Sequence, residues 1–258
     1  MRRPSLRNAA AILASVALLA ILPAPVACRE KAAKPTPRPK RRANPALKPI
    51  RDAPGLPRVL LIGDSISMGY TLPTRKLLAG KVNVHRIPAN GGDTARGLAE
   101  LDKWLGQGKW DAVHFNWGLH DLKHIRDGKL DSSAPQVRSV AEYEKNLRKL
   151  VLRLKKTGAK LVWCSTTPVP AGSHGRVQGD AAKYNKAAAK VMAEQKVPVN
   201  DLYAFALPQL KKIQRPANVH FTPAGSDALA RRVADAILKA LGKPPLPAPP
   251  KPAPPAKE

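Results

Sequence analysis

The chain has 258 residues, with 45 Lys and Arg against 18 Asp and Glu, a formal net charge of +27 and an aromatic content of only 4%. A chain of this length can bury a core without disulfides or a structural metal, and its two cysteines exclude a disulfide scaffold. The charge admits a polyanionic partner such as an envelope polymer, lipid headgroups or nucleic acid, but the aromatics do not interleave with the basic residues as nucleic-acid stacking platforms do, which argues against the last.

Residues 1–8, MRRPSLRN, are basic, and residues 9–22, AAAILASVALLAIL, form an uncharged apolar run shorter than the roughly 20 residues of a membrane span. The pattern reads as an export signal over residues 1–28, with the bacterial periplasm or cell envelope as destination. The stretch PAPVAC ends in Cys28, a candidate for lipidation, although Pro25 stands where an aliphatic residue is usual. Ordinary cleavage nearby and an uncleaved anchor are the alternatives. Residues 29–57 read as a basic Pro-rich linker and residues 243–258, KPPLPAPPKPAPPAKE, as a Pro-rich tail, both too poor in apolar surface to offset chain entropy. One domain remains, residues 58–242, and it is also basic: residues 57–242 hold 30 Lys and Arg against 15 acids.

Within that domain five short apolar runs have the length and composition of strands: RVLLIG (58–63), VNVHRI (82–87), DAVHFNWG (111–118), AKLVWCST (159–166) and VPVNDLY (197–203). Helical spacing appears in TARGLAELDKWLGQG, SVAEYEKNLRKLVLRLKKTG, GDAAKYNKAAAKVMAEQ and TPAGSDALARRVADAILKAL. In the second, Leu147, Leu150, Val151 and Leu154 recur at three and four; in the last, Thr222 is the N-cap and Pro223 the first helical residue. Alternating strands and helices predict a three-layer α/β/α fold with a five-stranded, mainly parallel sheet. In such sheets ligands bind beyond the carboxyl ends of the strands.

The chemically suggestive residues fall at those ends. Gly63-Asp64-Ser65 follows the first strand, NGGDT (90–94) the second and NWGLHD (116–121) the third, while ANVHFTPAG (217–225) precedes the last helix. Acyl transfer needs a hydroxyl nucleophile, an imidazole base and N–H donors for the developing oxyanion. Ser65 and His220 are candidates for the first two roles. The amides of Ser65 and Gly92 and the side chain of His120 are candidates for the third, Gly92 because a backbone without Cβ can approach a ligand closely.

These four blocks resemble the SGNH or GDSL hydrolases, over nearly the whole domain. The resemblance implies a flavodoxin-like SGNH hydrolase fold, Ser65 as nucleophile, His220 as base, and Gly92 and position 120 as oxyanion donors. Two positions depart from the family pattern. His120 stands where the oxyanion Asn is expected, and Ala217 stands where the carboxylate partner of the base is expected. An imidazole N–H can still donate. The missing carboxylate matters more, because replacing the Asp of a Ser-His-Asp triad by Asn costs on the order of 10⁴ in kcat. Asn218, a backbone carbonyl, or an acid from elsewhere such as Asp64 or Asp121 are the alternatives for orienting the ring.

Other candidates have plainer readings. His120 and His124 are four apart, with His114 the only further ligand in view, and few helix signals support a metal site there. His85 reads as structural, His174 as part of a Gly-rich loop that lines the cleft or moves in solvent, and Trp117 as either core or an aromatic face for a sugar. Asp64 and Asp93 read as turn or helix-terminus charges. Cys164 reads as a buried small hydrophobe. No motif asks for a cofactor, and no Gly-rich phosphate cradle follows the first strand, which argues against a nucleotide or flavin binder.

The sequence thus predicts an exported serine esterase acting through an acyl-enzyme on small acyl groups, for example acetyl esters of an acylated, polyanionic glycan. A catalytically impaired binding domain on the same fold is the alternative.

Overall fold

The computed structural model describes residues 43–248. The predicted export signal, Cys28, residues 29–42 of the basic linker and residues 249–258 of the Pro-rich tail lie outside the described residues.

The order of elements in the chain is β1 (Arg58–Ile62), α1 (Ser65–Leu77), β2 (Asn83–Arg86), α2 (Thr94–Leu105), β3 (Ala112–Phe115), β4 (Ile125–Arg126), β5 (Lys129–Leu130), α3 (Val140–Lys155), β6 (Lys160–Cys164), α4 (Asp180–Gln195), β7 (Val199–Asn200), α5 (Leu202–Ala206), α6 (Leu210–Ile213) and α7 (Pro223–Ala240). The main sheet is fully parallel in the order β2-β1-β3-β6-β7, with Leu60 facing His85 on one side and Val113 on the other. The three central strands are buried on both faces, so they read as continuous apolar runs with no alternation. Helical crossovers carry the chain outward from β1 to β2 and then back past β1 to β3. This reversal puts α1 on one face, where it packs against α7, and α2, α3 and α4 in contact order on the other. The order reverses between β1 and β3, and a crevice opens at their carboxyl ends.

Helix α3 shows how sequence becomes structure here. Ser139 and Glu142 form a reciprocal capping box, and Tyr143, Leu147, Leu150, Val151 and Leu154 are buried along one stripe. Helix α7 begins on the Thr222 cap with Pro223 at its first turn.

Several elements differ from the sequence expectation. The last predicted strand, 197–203, shortens to two residues because the Asp201 carboxylate caps Ala204 and starts α5 there. Helix α1 carries no clear apolar stripe and has Gly69 and Pro73 in its interior. Its buried hydroxyls are satisfied by bonding back one turn, Thr71 to the Ser67 carbonyl and Thr74 to that of Tyr70, which adds nothing to helix stability. A Cβ on Gly69 would come within 3.2 Å of the Ser226 hydroxyl of α7. Tertiary packing of small residues, not helix propensity, sets this element. The ribbon β4–β5 turns at Asp127-Gly128, both with positive φ, the usual chemistry of a two-residue hairpin.

The predicted linker does not run free to residue 57. Ala46 is buried, the Asn83 side chain bonds to the backbone of Ala53 and Leu56, and Asp52 pairs with Arg58 and His85. Polar side chains of β1 and β2 thus satisfy backbone groups that composition alone assigns to water. At the other end Leu246 packs on the core and its N–H donates to Asp235.

Candidate active site

The β1–α1 turn sets Ser65 as the first residue of α1, with the Asp64 side chain accepting from the Ile66 N–H at 2.9 Å. Arg86, at the end of β2, staples this turn: its buried guanidinium donates to the carbonyls of Gly63 and Asp64 at 2.8 and 3.0 Å and to the Ser67 hydroxyl at 2.8 Å. Burial lowers its pKa to about 10, so it remains cationic at neutral pH. The next block closes on the first through a hydrogen bond from Gly91 N–H to the Gly63 carbonyl, 2.9 Å, and a Cβ on Gly91 would collide with that carbonyl.

His220 comes from the loop between α6 and α7, a narrow hairpin closed by the Gln214–Phe221 bridge. Its Nε2 lies 2.9 Å from the Ser65 hydroxyl. Asn218 Oδ1 lies 2.7 Å from His220 Nδ1 and 2.9 Å from the His220 backbone nitrogen. Ala217 adopts the left-handed conformation, φ 49°, and its methyl lies beside Gly172, which leaves position 218 as the neighbour of the ring. The two acids considered as orienters are occupied elsewhere. Asp64 caps α1, and the buried Asp121 accepts from the backbone N–H and hydroxyl of Thr94 at 2.9 and 2.5 Å. Asp121 therefore ties the loop after β3 to the start of α2. Burial raises its pKa to about 7 against the opposing Thr94 bonds, and its second oxygen has no partner among the described residues.

The remaining candidates make no hydrogen bond to this pair and are absent from the walls of the cavity it opens into. Gly92 is buried at φ 63°, and its N–H donates to the Asn90 side chain at 2.9 Å. His120 is half-buried and makes no side-chain hydrogen bond to a described residue. Loss of hydration lowers its pKa, while the charge of Asp64 acts against this and those of Lys123 and Arg176 add to it. The same loss lowers the pKa of His220, again opposed by Asp64 and reinforced by Arg176 and Arg215. Both imidazoles thus feel the carboxylate of the first block.

The other histidines are engaged in the scaffold. His114 is in the core against Asn200 and Tyr70, and burial drives its pKa to about 3. His124 bonds to the Ala134 carbonyl and Asp180, and His85 to Asp52. Among the described residues no cluster of three His, Cys, Asp or Glu side chains is suited to hold a metal. Trp117 is a core residue, 1% exposed, with its indole against Gly97; the reading of it as an aromatic face for a sugar is overturned, because α2 covers the ring. His174 is exposed on its loop.

Ser65 and His220 open into a cavity of about 340 Å³, lined also by Ile66, Gly69, Arg215 and Phe221. That is at the small end of the ~300–1,000 Å³ typical of small-molecule sites. Sequence reasoning missed Arg86, Arg176 and Arg215. A signal was available only for Arg215, a basic residue five positions before the candidate base.

A family model for the GDSL-like Lipase/Acylhydrolase family matches residues 61–228. Among solved structures, the chain is similar to the lipase/acylhydrolase from Enterococcus faecalis (22% identity, TM-score 0.61, 75% of this chain and 100% of that one). It is also similar to the acetyl xylan esterase AlAXEase (17%, TM-score 0.58, 70% and 99%) and to Axe2, an acetylxylan esterase from Geobacillus stearothermophilus (20%, TM-score 0.57, 73% and 95%). At these identities the likeness bears on the fold. No curated protein matches the chain in sequence.

Proposed function

Because the chain belongs to the GDSL-like lipase/acylhydrolase family and is an ester-bond hydrolase of the SGNH type, we propose that Ser65 is its nucleophile, His220 its general base and Asn218 the residue that positions the base. The observation that carries this reading is the relay from the Ser65 hydroxyl through His220 Nε2 and Nδ1 to Asn218 Oδ1, at 2.9 and 2.7 Å.

In this mechanism His220 Nε2 takes the Ser65 proton as Oγ attacks the ester carbonyl, and the resulting imidazolium gives it to the leaving alcohol. Water then hydrolyses the acyl-enzyme by the same route. The Ser65 and Gly92 amides and the His120 ring donate to the oxyanion. The Ser65 N–H belongs to the first turn of α1, whose unpaired donors and dipole favour negative charge. The Gly92 N–H exchanges its neutral Asn90 partner for an anion, a stronger charge-assisted bond.

The substrate we infer is a short acyl ester, acetyl before any longer chain, on a carbohydrate. A cavity of about 340 Å³ with Gly69, Arg215 and Ser226 among its walls supports this over a lipid tail. The two acetylxylan esterases among the similar folds point the same way. We also propose export to the envelope, from the pattern of residues 1–28, with Cys28 as the acylation point. Mass spectrometry of the mature N-terminus tests that part.

The esterase mechanism is tested by burst release of p-nitrophenol from p-nitrophenyl acetate, with Ser65→Ala and His220→Ala alongside. Loss of both burst and turnover in the two variants is expected; three equal rates would overturn the assignment.

A further inference from the structure

Arg215 forms part of the cavity wall that also exposes Ser65 and His220. Among the described residues its guanidinium has neither a carboxylate partner nor a side-chain hydrogen bond, unlike the paired arginines at 58, 138, 148 and 153. A second arginine, Arg176, approaches from the loop after β6. Its Nε donates to the Leu119 carbonyl at 3.0 Å, and the rest of its guanidinium is uncommitted among the described residues. The charges of both reach the His220 ring, and Lys123 adds a third beside Arg176. At His220 these are opposed by the carboxylate of Asp64, which is buried and held by the start of α1, while Asp93 and Asp121 offset the charge of Lys123.

The cavity wall beside Ser65 and His220 therefore carries an unpaired cation. An arginine that an enzyme keeps unpaired at the mouth of its site costs nothing to a neutral substrate and favours an anionic one, since its planar fork matches a carboxylate or sulfate with two parallel bonds. The N-termini of α1 and α7, which begin at Ser65 and Pro223 on the same cavity, bias the field in the same direction.

We propose that the preferred substrate is an acylated sugar that also carries a fixed negative charge, bound by Arg215 at the rim of the cavity. The inference rests on the esterase reading for its substrate but not for its test, because binding can be measured without turnover. The Ser65→Ala protein would be titrated calorimetrically with three acetylated oligosaccharides of equal length: one neutral, one bearing a uronic acid and one bearing a sulfate ester. Expected is affinity at least about tenfold higher for an acidic ligand than for the neutral one at low salt, with the preference lost as ionic strength rises past ~0.5 M. A second substitution, Arg215→Gln, should remove most of the preference, and Arg215→Lys should restore part of it. The carboxylate and sulfate arms identify which anion the fork fits.

Equal affinity for neutral and acidic ligands, or a preference unchanged by Arg215→Gln, would overturn the proposal. Wild-type protein that releases acetate from p-nitrophenyl acetate while treating the three sugars alike leaves the esterase standing and removes only the acidic substrate. Arg215-dependent binding by a protein with no turnover has the opposite meaning. Arg215 is exposed, so the variants are expected to fold, and coincident thermal unfolding curves check this.

Discussion

Asn218 Oδ1 accepts the His220 backbone N–H at 2.9 Å while standing 2.7 Å from Nδ1 of the same residue. A backbone N–H can only donate, so the atom it meets is the amide oxygen and not the amide nitrogen. The oxygen in turn requires Nδ1 to carry a proton, which leaves the Nε2 lone pair to accept from the Ser65 hydroxyl. This local bond avoids the fault of an Asn in an ordinary triad, where the amide nitrogen selects the wrong tautomer. Asn218→Ala should therefore lower kcat by roughly 10- to 10³-fold with little change in KM, since the ring loses its orienting partner but not its place. Asn218→Asp should retain activity and move the acidic limb of the pH profile upward, because a carboxylate favours the imidazolium. Steady-state kinetics on a neutral p-nitrophenyl ester read both.

The pH dependence of the unaltered protein follows from the ring's surroundings. Burial lowers the His220 pKa below 6.5, and Arg176 and Arg215 add to this against Asp64. The base works when neutral, so kcat/KM should rise through an acidic limb lying below pH 6.5 and stay flat into the alkaline range. Removing a positive neighbour raises the pKa of an imidazole. The limb should move to higher pH in Arg215→Gln, and one that stays fixed or moves lower would show that the arginine's charge does not reach the base.

Asp121 makes a prediction about stability. Its carboxyl titrates at about 7 in the folded protein, against ~3.9 for an unfolded chain, so the folded state holds the proton more tightly. Stability from this group is fully present below about pH 4 and is lost as pH rises toward 7, by at most about 1.4 kcal/mol per unit. Asp121→Asn cannot titrate. Its destabilisation relative to the parent, read from urea midpoints, should shrink between pH 4 and pH 7; a constant difference would mean that the carboxyl is ionised throughout.

Gly118 makes another. A Cβ there would lie 2.0 Å from the Thr166 hydroxyl, which itself bonds to the Trp117 carbonyl. Gly118→Ala should destabilise the protein by about 1–3 kcal/mol through overpacking and displace the neighbouring His120. Thermal unfolding and kcat should fall together.

The alternation of strands and helices, the α3 stripe and the Thr222 cap of α7 were legible in the sequence, because each is a periodic or nearest-neighbour property that a few adjacent residues decide. So were the four blocks at the strand ends, since a parallel sheet delivers its loops to one rim whatever the side chains are. Ser65, His220 and Asn218 could be named for the same reason: their residue types and positions along the chain limit the candidates.

Only the tertiary structure decided the rest. Helix α1 has no stripe to read, and it is held by packing against α7, where Gly69 lies close to Ser226. Whether Asp121 faced the histidine or Thr94, whether Trp117 lay open or under α2, and whether residues 43–57 were free or fastened to β2 each depended on a partner far along the chain. The charge around the base was hidden for the same reason: Arg176 and Arg215 are 39 positions apart, and only folding lets both act on His220. Local pattern fixes which elements form, but charge, burial and hydrogen-bond partnership are properties of pairs, and folding chooses the pairs.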